Sequence, residues 1–315
     1  AYEKLGRKPK REAEARTKQI LEQFYQKTQG EITRSFLSHM IMRLEREQSV
    51  KEYLDIMDHR KTEQLIDTLD KVEQNRKECY IREFSIEHFH DSKVFETLIP
   101  KICKIFREEN EELTGFENEE ILAEYQIYKT PGYVYMKGNV QIYSAGKQAA
   151  DISAFPEGIA VAVGSEEDVP DICPDQTIDK VFTIENLTSF YRFKQEHSLV
   201  IYLGGYHNHS RRNLLMQIYQ KLPDAQYYHF GDLDAGGFYI LEHLKRKTGI
   251  PFQMFQMDIE TLKKYEDYAK PLTENDKKRL MQLEKMELPD KERKLITYML
   301  QKGIKLEQEC ISESQ

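Results

Sequence analysis

The chain has 315 residues, 39% of them hydrophobic and 11% aromatic, enough to bury the core of one large domain or of two to three ordinary ones. Charged residues make up 32%, no apolar run approaches the about 18 residues of a membrane span, and the basic, polar start does not read as a signal peptide; the cytoplasm is the expected compartment. The formal net charge of −8 argues against a protein that coats nucleic acid, although Lys4, Arg7, Lys8, Lys10, Arg11 and Arg16 leave a local basic path for a duplex.

From about Lys10 to Arg76 apolar residues recur at helical spacing: Ile20, Leu21, Phe24 and Tyr25, then Ile32, Phe36, Met40 and Leu44, then Leu65, Ile66, Leu69 and Val72, with Gly30 between the first two helices. The third stretch is charged and heptad-like, which predicts an arm or coiled-coil element more than a core helix. Residues 1–84 are therefore expected to form a helical arm or a winged-helix-like DNA module; a helical adaptor or dimerisation surface fits the same pattern.

Residues 85–178 read as a connecting domain. Val94, Phe95, Leu98, Ile99, Ile102 and Phe106 stripe another helix, which Pro100 is expected to kink or restart. His88, His90 and Asp91 have metal-ligand spacing, but a strand with alternating exposed His explains them as well. The acidic segment Glu108 to Glu120 predicts a solvated loop. Tyr133, Tyr135 and the turn Lys137-Gly138-Asn139 predict a hairpin, Ile159–Val163 a further strand, and Asp168 to Asp175 a linker.

The last segment, 179–315, has the clearest rhythm. Val181–Ile184, Leu199–Leu203, Gln226–Phe230 and Phe252–Phe255 are short apolar strands, separated by Leu187–Lys194, Ser210–Leu222 and Phe238–Thr248 with helical spacing. Such β-α-β alternation implies a mostly parallel sheet with helices on its faces, and ligands of such sheets sit at the carboxyl ends of the strands. Glu185-Asn186 follows the first strand, and Gly231-Asp232-Leu233-Asp234 follows the third. These acids meet if the first and third strands are neighbours.

Carboxylates without Cys or His partners suit a hard cation, Mg²⁺ or Mn²⁺, and three of them around such an ion can hold a phosphodiester for in-line attack. Gly236 and Gly237 let the backbone approach a ligand and open a helix whose N-terminus favours phosphate. The plain alternative is that Asp-x-Asp-x-Gly is loop and helix-capping chemistry. Arg211 and Arg212, opening the next helix along on the same edge, are candidate phosphate contacts. His207-Asn208-His209 reads as a loop. The cysteines Cys79, Cys103, Cys173 and Cys310 form no Cys-x-x-Cys and indicate neither a disulfide framework nor a zinc site.

Apolar strand-Glu185-Asn186 followed downstream by apolar strand-Gly231-Asp232-x-Asp234-x-x-Gly237 resembles the Toprim domain of topoisomerases, primases and nucleases. Within that superfamily the fit is to the JetD-type nucleases of Wadjet plasmid-defence systems, relatives of the topoisomerase VI A subunit. Asp91-Ser92-Lys93, Ile121-Leu122-Ala123-Glu124 to Thr130-Pro131, Lys137-Gly138-Asn139 and Leu306-Glu307-Gln308-Glu309 extend the resemblance over roughly residues 85 to 311. Ala235 stands where relatives often have Pro.

The resemblance implies an α/β Toprim domain behind a mainly helical N-terminal region, with Glu185, Asp232 and Asp234 catalytic and metal-binding. Glu307 and Glu309 would serve a second metal, or else form a solvated C-terminal face; Lys93, Arg211 and Arg212 would contact DNA. It further implies a Mg²⁺- or Mn²⁺-dependent endonuclease on double-stranded DNA, a homodimer cutting both strands, working with an SMC-like JetABC-type complex. None of the 19 tyrosines stands in a recognisable arginine-flanked motif of the kind that carries the nucleophile of a topoisomerase A-type subunit, so hydrolysis is favoured over tyrosyl-DNA chemistry. A non-catalytic DNA-binding assembly subunit is the third reading.

Overall fold

The computed structural model describes residues 10–110, 113, 116–129, 132–163, 170–204 and 209–311. The chain divides into two compact units, Ala1–Thr130 and Pro131–Gln315. The boundary falls inside the segment 85–178, whose α-helices and short strand Ile127–Tyr128 go with the first unit and whose later strands go with the second.

The first unit is helical: α1 (Lys10–Lys27), α2 (Glu31–Glu45), α3 (His59–Gln74), α4 (Ile81–Phe89), α5 (Val94–Glu109) and α6 (Asn118–Glu124), with β1 (Cys79–Tyr80) and β2 (Ile127–Tyr128) as a two-residue parallel ladder. Among the described residues of this unit no antiparallel strand pair accompanies the helices. Leu65, Ile66, Leu69 and Val72 of α3 are fully buried against α1, α2 and α5, which corrects the expected arm or coiled coil. The heptad-like spacing marks a core face instead.

α5 runs unbroken through Pro100. Its apolar face, Phe95, Ile102, Cys103, Ile105 and Phe106, is completely buried, and that outweighs one missing backbone hydrogen bond. His88 lies in α4 and His90 caps it with φ 55°, so these histidines do not alternate along a strand. Part of the acidic segment is helical, since Glu117 and Glu120 form a capping box that starts α6. The start of α2 is capped from a distance: Gly30 offers no side chain, and Glu73 at the end of α3 accepts from the Ile32 and Thr33 N–H groups, both at 2.8 Å, and from the Thr33 hydroxyl at 2.7 Å.

The second unit holds β3 (Gly132–Lys137), β4 (Val140–Ser144), β5 (Lys147–Asp151), β6 (Ile159–Val163), β7 (Asp171–Pro174), β8 (Lys180–Ile184), α7 (Leu187–Arg192), β9 (Ser198–Tyr202), α8 (His209–Lys221), β10 (Gln226–Phe230), α9 (Ala235–Thr248) and β11 (Gln253–Met254). After these come α10 (Ile259–Lys264), β12 (Lys270–Pro271), α11 (Glu274–Glu284), α12 (Asp290–Lys302) and β13 (Ile304–Lys305). The main sheet runs β11-β10-β8-β9-β3-β6, with β11, β10, β8 and β9 mutually parallel and β3 antiparallel to both of its neighbours, β9 and β6. The β-α-β-α-β-α-β pattern is therefore present, and its first and third strands are neighbours.

Two strand expectations change. β3 and β4 are consecutive but do not form a hairpin: β3 joins the main sheet, while β4 pairs with β5 and β7 in a separate three-stranded sheet. Gly138 makes the transfer at φ 138°, where a Cβ would sit 2.5 Å from the Ser198 carbonyl oxygen. The expected linker contributes β7, held against β4 from Asp171 to Pro174.

Strand alternation gives the sheet two apolar faces. Val181, Leu199, Ile201 and Tyr227 pack with Leu214, Leu215 and Ile218 of α8 and Leu241 and Leu244 of α9. Phe182, Ile184, Val200 and Phe230 pack on the other side with α7, α10, α11 and α12. Among the described residues no helix is long and apolar enough to cross a membrane.

Candidate functional site

β8 is the pivot of the sheet: the chain leaves it for β9 on one side and returns to β10 on the other. The crevice of an open α/β sheet lies at the carboxyl edge of such a switch point. Phe230 pairs with Ile184 in register, so Glu185 and Gly231-Asp232 leave the two strands side by side. The Glu185 N–H donates to the Phe230 carbonyl at 3.1 Å, extending the ladder one step beyond the strands.

Residues 181, 183 and 185 share a face of β8, as do 227 and 229 of β10, and that face is covered by α8 and α9. There His229 Nε2 lies 2.8 Å from Glu185 Oε1, and His229 Nδ1 lies 2.9 Å from the Thr183 hydroxyl. His229 and Thr183 are fully buried, and only 9% of the Glu185 side chain is exposed. Burial, then the charge of Asp234, drives the Glu185 carboxyl well above the usual range, while burial and the charge of Lys245 push the His229 ring down to about 3. Both shifts favour neutral partners, so the contact is a hydrogen bond more than an ion pair. Gly231 makes room for it: a Cβ there would fall 2.0 Å from Glu185 Oε1.

Asp232 accepts the backbone N–H of Gln308 at 2.7 Å. Burial, with the charges of Glu185, Asp234 and Glu309, moves its carboxyl up to about 7, against the downward pull of the Gln308 N–H. Asp234 is the N-cap of α9, accepting the Gly237 N–H at 2.9 Å. The capping alternative is thus realised in geometry, in a residue whose charge also acts on Glu185 and Asp232.

The last strand turns back over this edge. Leu306 and Leu233 exchange both backbone hydrogen bonds, and residues 306–310 lie against the ends of β8 and β10. Glu309 accepts from the Asn186 side chain at 2.5 Å, while Glu307 is nearly half exposed and paired with Lys270 at 2.5 Å. Arg211 anchors its Nη1 on the Leu203 carbonyl at 2.5 Å, at the same edge because Leu203 N–H donates to Ile184. Arg212 is buried beside His243, whose ring is held at about 3 by burial and then by that arginine's charge. Lys93 is exposed at the N-cap of α5 in the first unit. His207 and Asn208 lie outside the described residues. A cavity of about 500 Å³ between Lys137, Phe155, Phe193, Lys194 and Ser198 opens at the opposite edge of the sheet and shares no residue with the acids.

Among the described residues, no three His, Cys, Asp or Glu side chains stand as a ready-made ligand set. Glu185, Asp232 and Asp234 are instead turned toward His229, Gln308 and Gly237. Their chemistry still fits a hard divalent cation: the donors are carboxylate oxygens, two of the three carboxyls are raised by burial and mutual repulsion, and a cation would relieve both. His229 and Thr183 carried no reading from sequence, and Gly231 and Gln308 stood in the quoted motifs without a role; the His two residues after an inward-facing Tyr227 was the available signal.

Residues 167–315 match the family model described as the C-terminal part of the Wadjet protein JetD. The whole chain is similar to the Wadjet protein JetD of Bacillus cereus (strain Q1), at 27% identity over 323 aligned positions, covering 99% of this chain and 76% of that one. The chain is JetD-like. The JetD match includes β8, β9, β10, β11, all the carboxylates above and the C-terminal segment that packs on them.

Proposed function

We propose that this JetD-like chain is the nuclease subunit of a Wadjet-type defence system, a Toprim-fold endonuclease that cuts double-stranded plasmid DNA with Mg²⁺ or Mn²⁺. The observation that carries the reading is the placing of Glu185 and Asp232-x-Asp234 on adjacent parallel strands at the switch point of the sheet. Glu185, Asp232 and Asp234 would hold the ion, each rotating away from its present donor. When bound, the ion supplies Lewis acidity and neutralises charge on the phosphodiester.

The chain's own groups do the rest. The N-terminus of α9 directs its N–H groups and dipole to the acid edge, where they favour a phosphate oxygen. Arg211 is the guanidinium best placed to hold the DNA backbone. Glu309, tied to Asn186, is the nearer of the two C-terminal acids for a second ion, since its charge reaches Asp232; Glu307 would first have to leave Lys270. A homodimer would supply one site per strand, and an SMC-like JetABC-type complex would deliver the substrate.

Supercoiled plasmid incubated with the chain and Mn²⁺ or Mg²⁺, alone and with its SMC-like partner complex, tests this. Metal-dependent linearisation, lost in Asp234→Asn, supports the nuclease. Asn keeps the cap on α9 while removing the charge, so a loss is not a folding effect. Protein left covalently on DNA ends would mean tyrosyl chemistry, and no cleavage with partners present would mean an assembly subunit.

A further inference from the structure

Gln308 is completely buried, and its side chain spans the two strands that carry the acids. Its Nε2 donates to the Phe230 carbonyl at 3.0 Å, at the end of β10. Its Oε1 accepts the Asn186 N–H at 2.9 Å, just past the end of β8. Its own N–H reaches Asp232 Oδ1 at 2.7 Å. These three bonds run from one residue to both strand ends and to a carboxylate.

Two of these bonds fill vacancies that the sheet leaves. Beyond Ile184 the ladder has run out, so the Asn186 N–H lacks a strand partner and the amide oxygen of Gln308 replaces one. The Phe230 carbonyl already accepts from Glu185, and the amide NH₂ takes its second lone pair. A primary amide has the donor and the acceptor this needs on one planar group; no ionised side chain has both. The Leu306–Leu233 bridge aligns the segment, but it does not touch the acids.

We infer that Gln308 is the positioning residue of the acid site, clamping the ends of β8 and β10 at a fixed separation and aiming the Asp232 carboxylate. The role rests on the nuclease reading. Without the amide, the segment is still held by the Leu306–Leu233 bridge, but Asp232 keeps only a backbone N–H and the tie from this side chain to the ends of both β8 and β10 is gone. Outer hydrogen-bond partners of this kind change metal affinity or activity by about 10–100-fold.

The test compares the full-length wild type with Q308A and Q308E. It measures plasmid cleavage with separate kcat and KM, Mn²⁺ binding by electron paramagnetic resonance, and hydrogen exchange of peptides covering 184–190, 228–236 and 304–311. Q308A is expected to lower kcat and Mn²⁺ affinity about 10–100-fold with KM for DNA little changed, and to lose exchange protection at 304–311 and 184–190. Q308E retains the acceptor for Asn186 but offers the Phe230 carbonyl no N–H, so it should keep the β8 half of the clamp, lose the β10 half and show lowered kcat with KM for DNA little changed. Unchanged exchange in Q308A, or cleavage and Mn²⁺ binding equal to those of an active wild type, overturns the clamp alone. A wild type that neither binds Mn²⁺ nor cuts overturns the nuclease reading and, with it, this role.

Discussion

His229 Nε2 sits 2.8 Å from Glu185 Oε1 while the other nitrogen of the same buried ring sits 2.9 Å from the Thr183 hydroxyl. The Thr183 oxygen is also 3.2 Å from the Tyr228 carbonyl, so the three residues form a chain that fixes the imidazole before it meets the carboxylate. Replacing His229 by Leu removes that fixation without adding a charge. Plasmid cleavage should fall about 10–100-fold, the usual effect of losing an outer hydrogen-bond partner, and Thr183→Val should fall less, because the Glu185 contact survives. Initial rates at saturating Mn²⁺ measure both.

Gly231→Ala separates activity from stability. The new Cβ would meet the Glu185 carboxylate at 2.0 Å, and that group is the end of a flexible side chain, so Glu185 moves and the backbone does not. The expected outcome is a large loss of cleavage with a thermal midpoint close to that of the wild type. A collapse of the midpoint would show that the strand ends, and not the side chain, had given way.

Asp234→Ala and Asp234→Asn should be equally inactive but unequally stable. Ala gives up the cap on the Gly237 N–H, typically worth about 1 kcal/mol, whereas Asn retains it. Urea unfolding of the two variants measures the difference.

In the helical unit, Glu73→Ala removes three hydrogen bonds from the start of α2, and about 1–3 kcal/mol of stability should go with them. Gly30→Ala should act in the same direction, since its Cβ would fall 2.1 Å from Glu73 Oε2. Denaturant midpoints of the full chain provide the check.

His243 is buried with its ring held at about 3, below the ordinary 6.5, by burial and by Arg212, Lys247 and Arg246. The unfolded chain binds a proton there that the folded chain refuses. This residue's contribution to stability is therefore complete above about pH 6.5 and is lost as pH falls toward 3, by at most about 1.4 kcal/mol per pH unit. His243→Gln should flatten that part of the stability profile between pH 6.5 and 4.5, read from thermal midpoints.

The parallel sheet was legible because its strands are short, apolar and separated by helices of regular spacing, and because both acid pairs directly follow strands. That fixed the edge on which Glu185, Asp232 and Asp234 meet. The β3–β4 transfer at Gly138 was not legible, since a turn between two strands looks the same whether they pair or part company. α3 was misjudged for a related reason: a heptad of apolar residues specifies a buried stripe but not what buries it. Gln308 and the Glu73 cap were invisible because each acts through polar bonds to residues far along the chain, 122 positions away for Asn186.

That separation orders events in time. β8, β9 and β10 can pair as they leave the ribosome, but Asn186 and Phe230 receive their last partners only when residue 308 has been made. A chain still in synthesis, or one cut short before residue 306, would carry every one of Glu185, Asp232 and Asp234 and still lack the fastening that sets them.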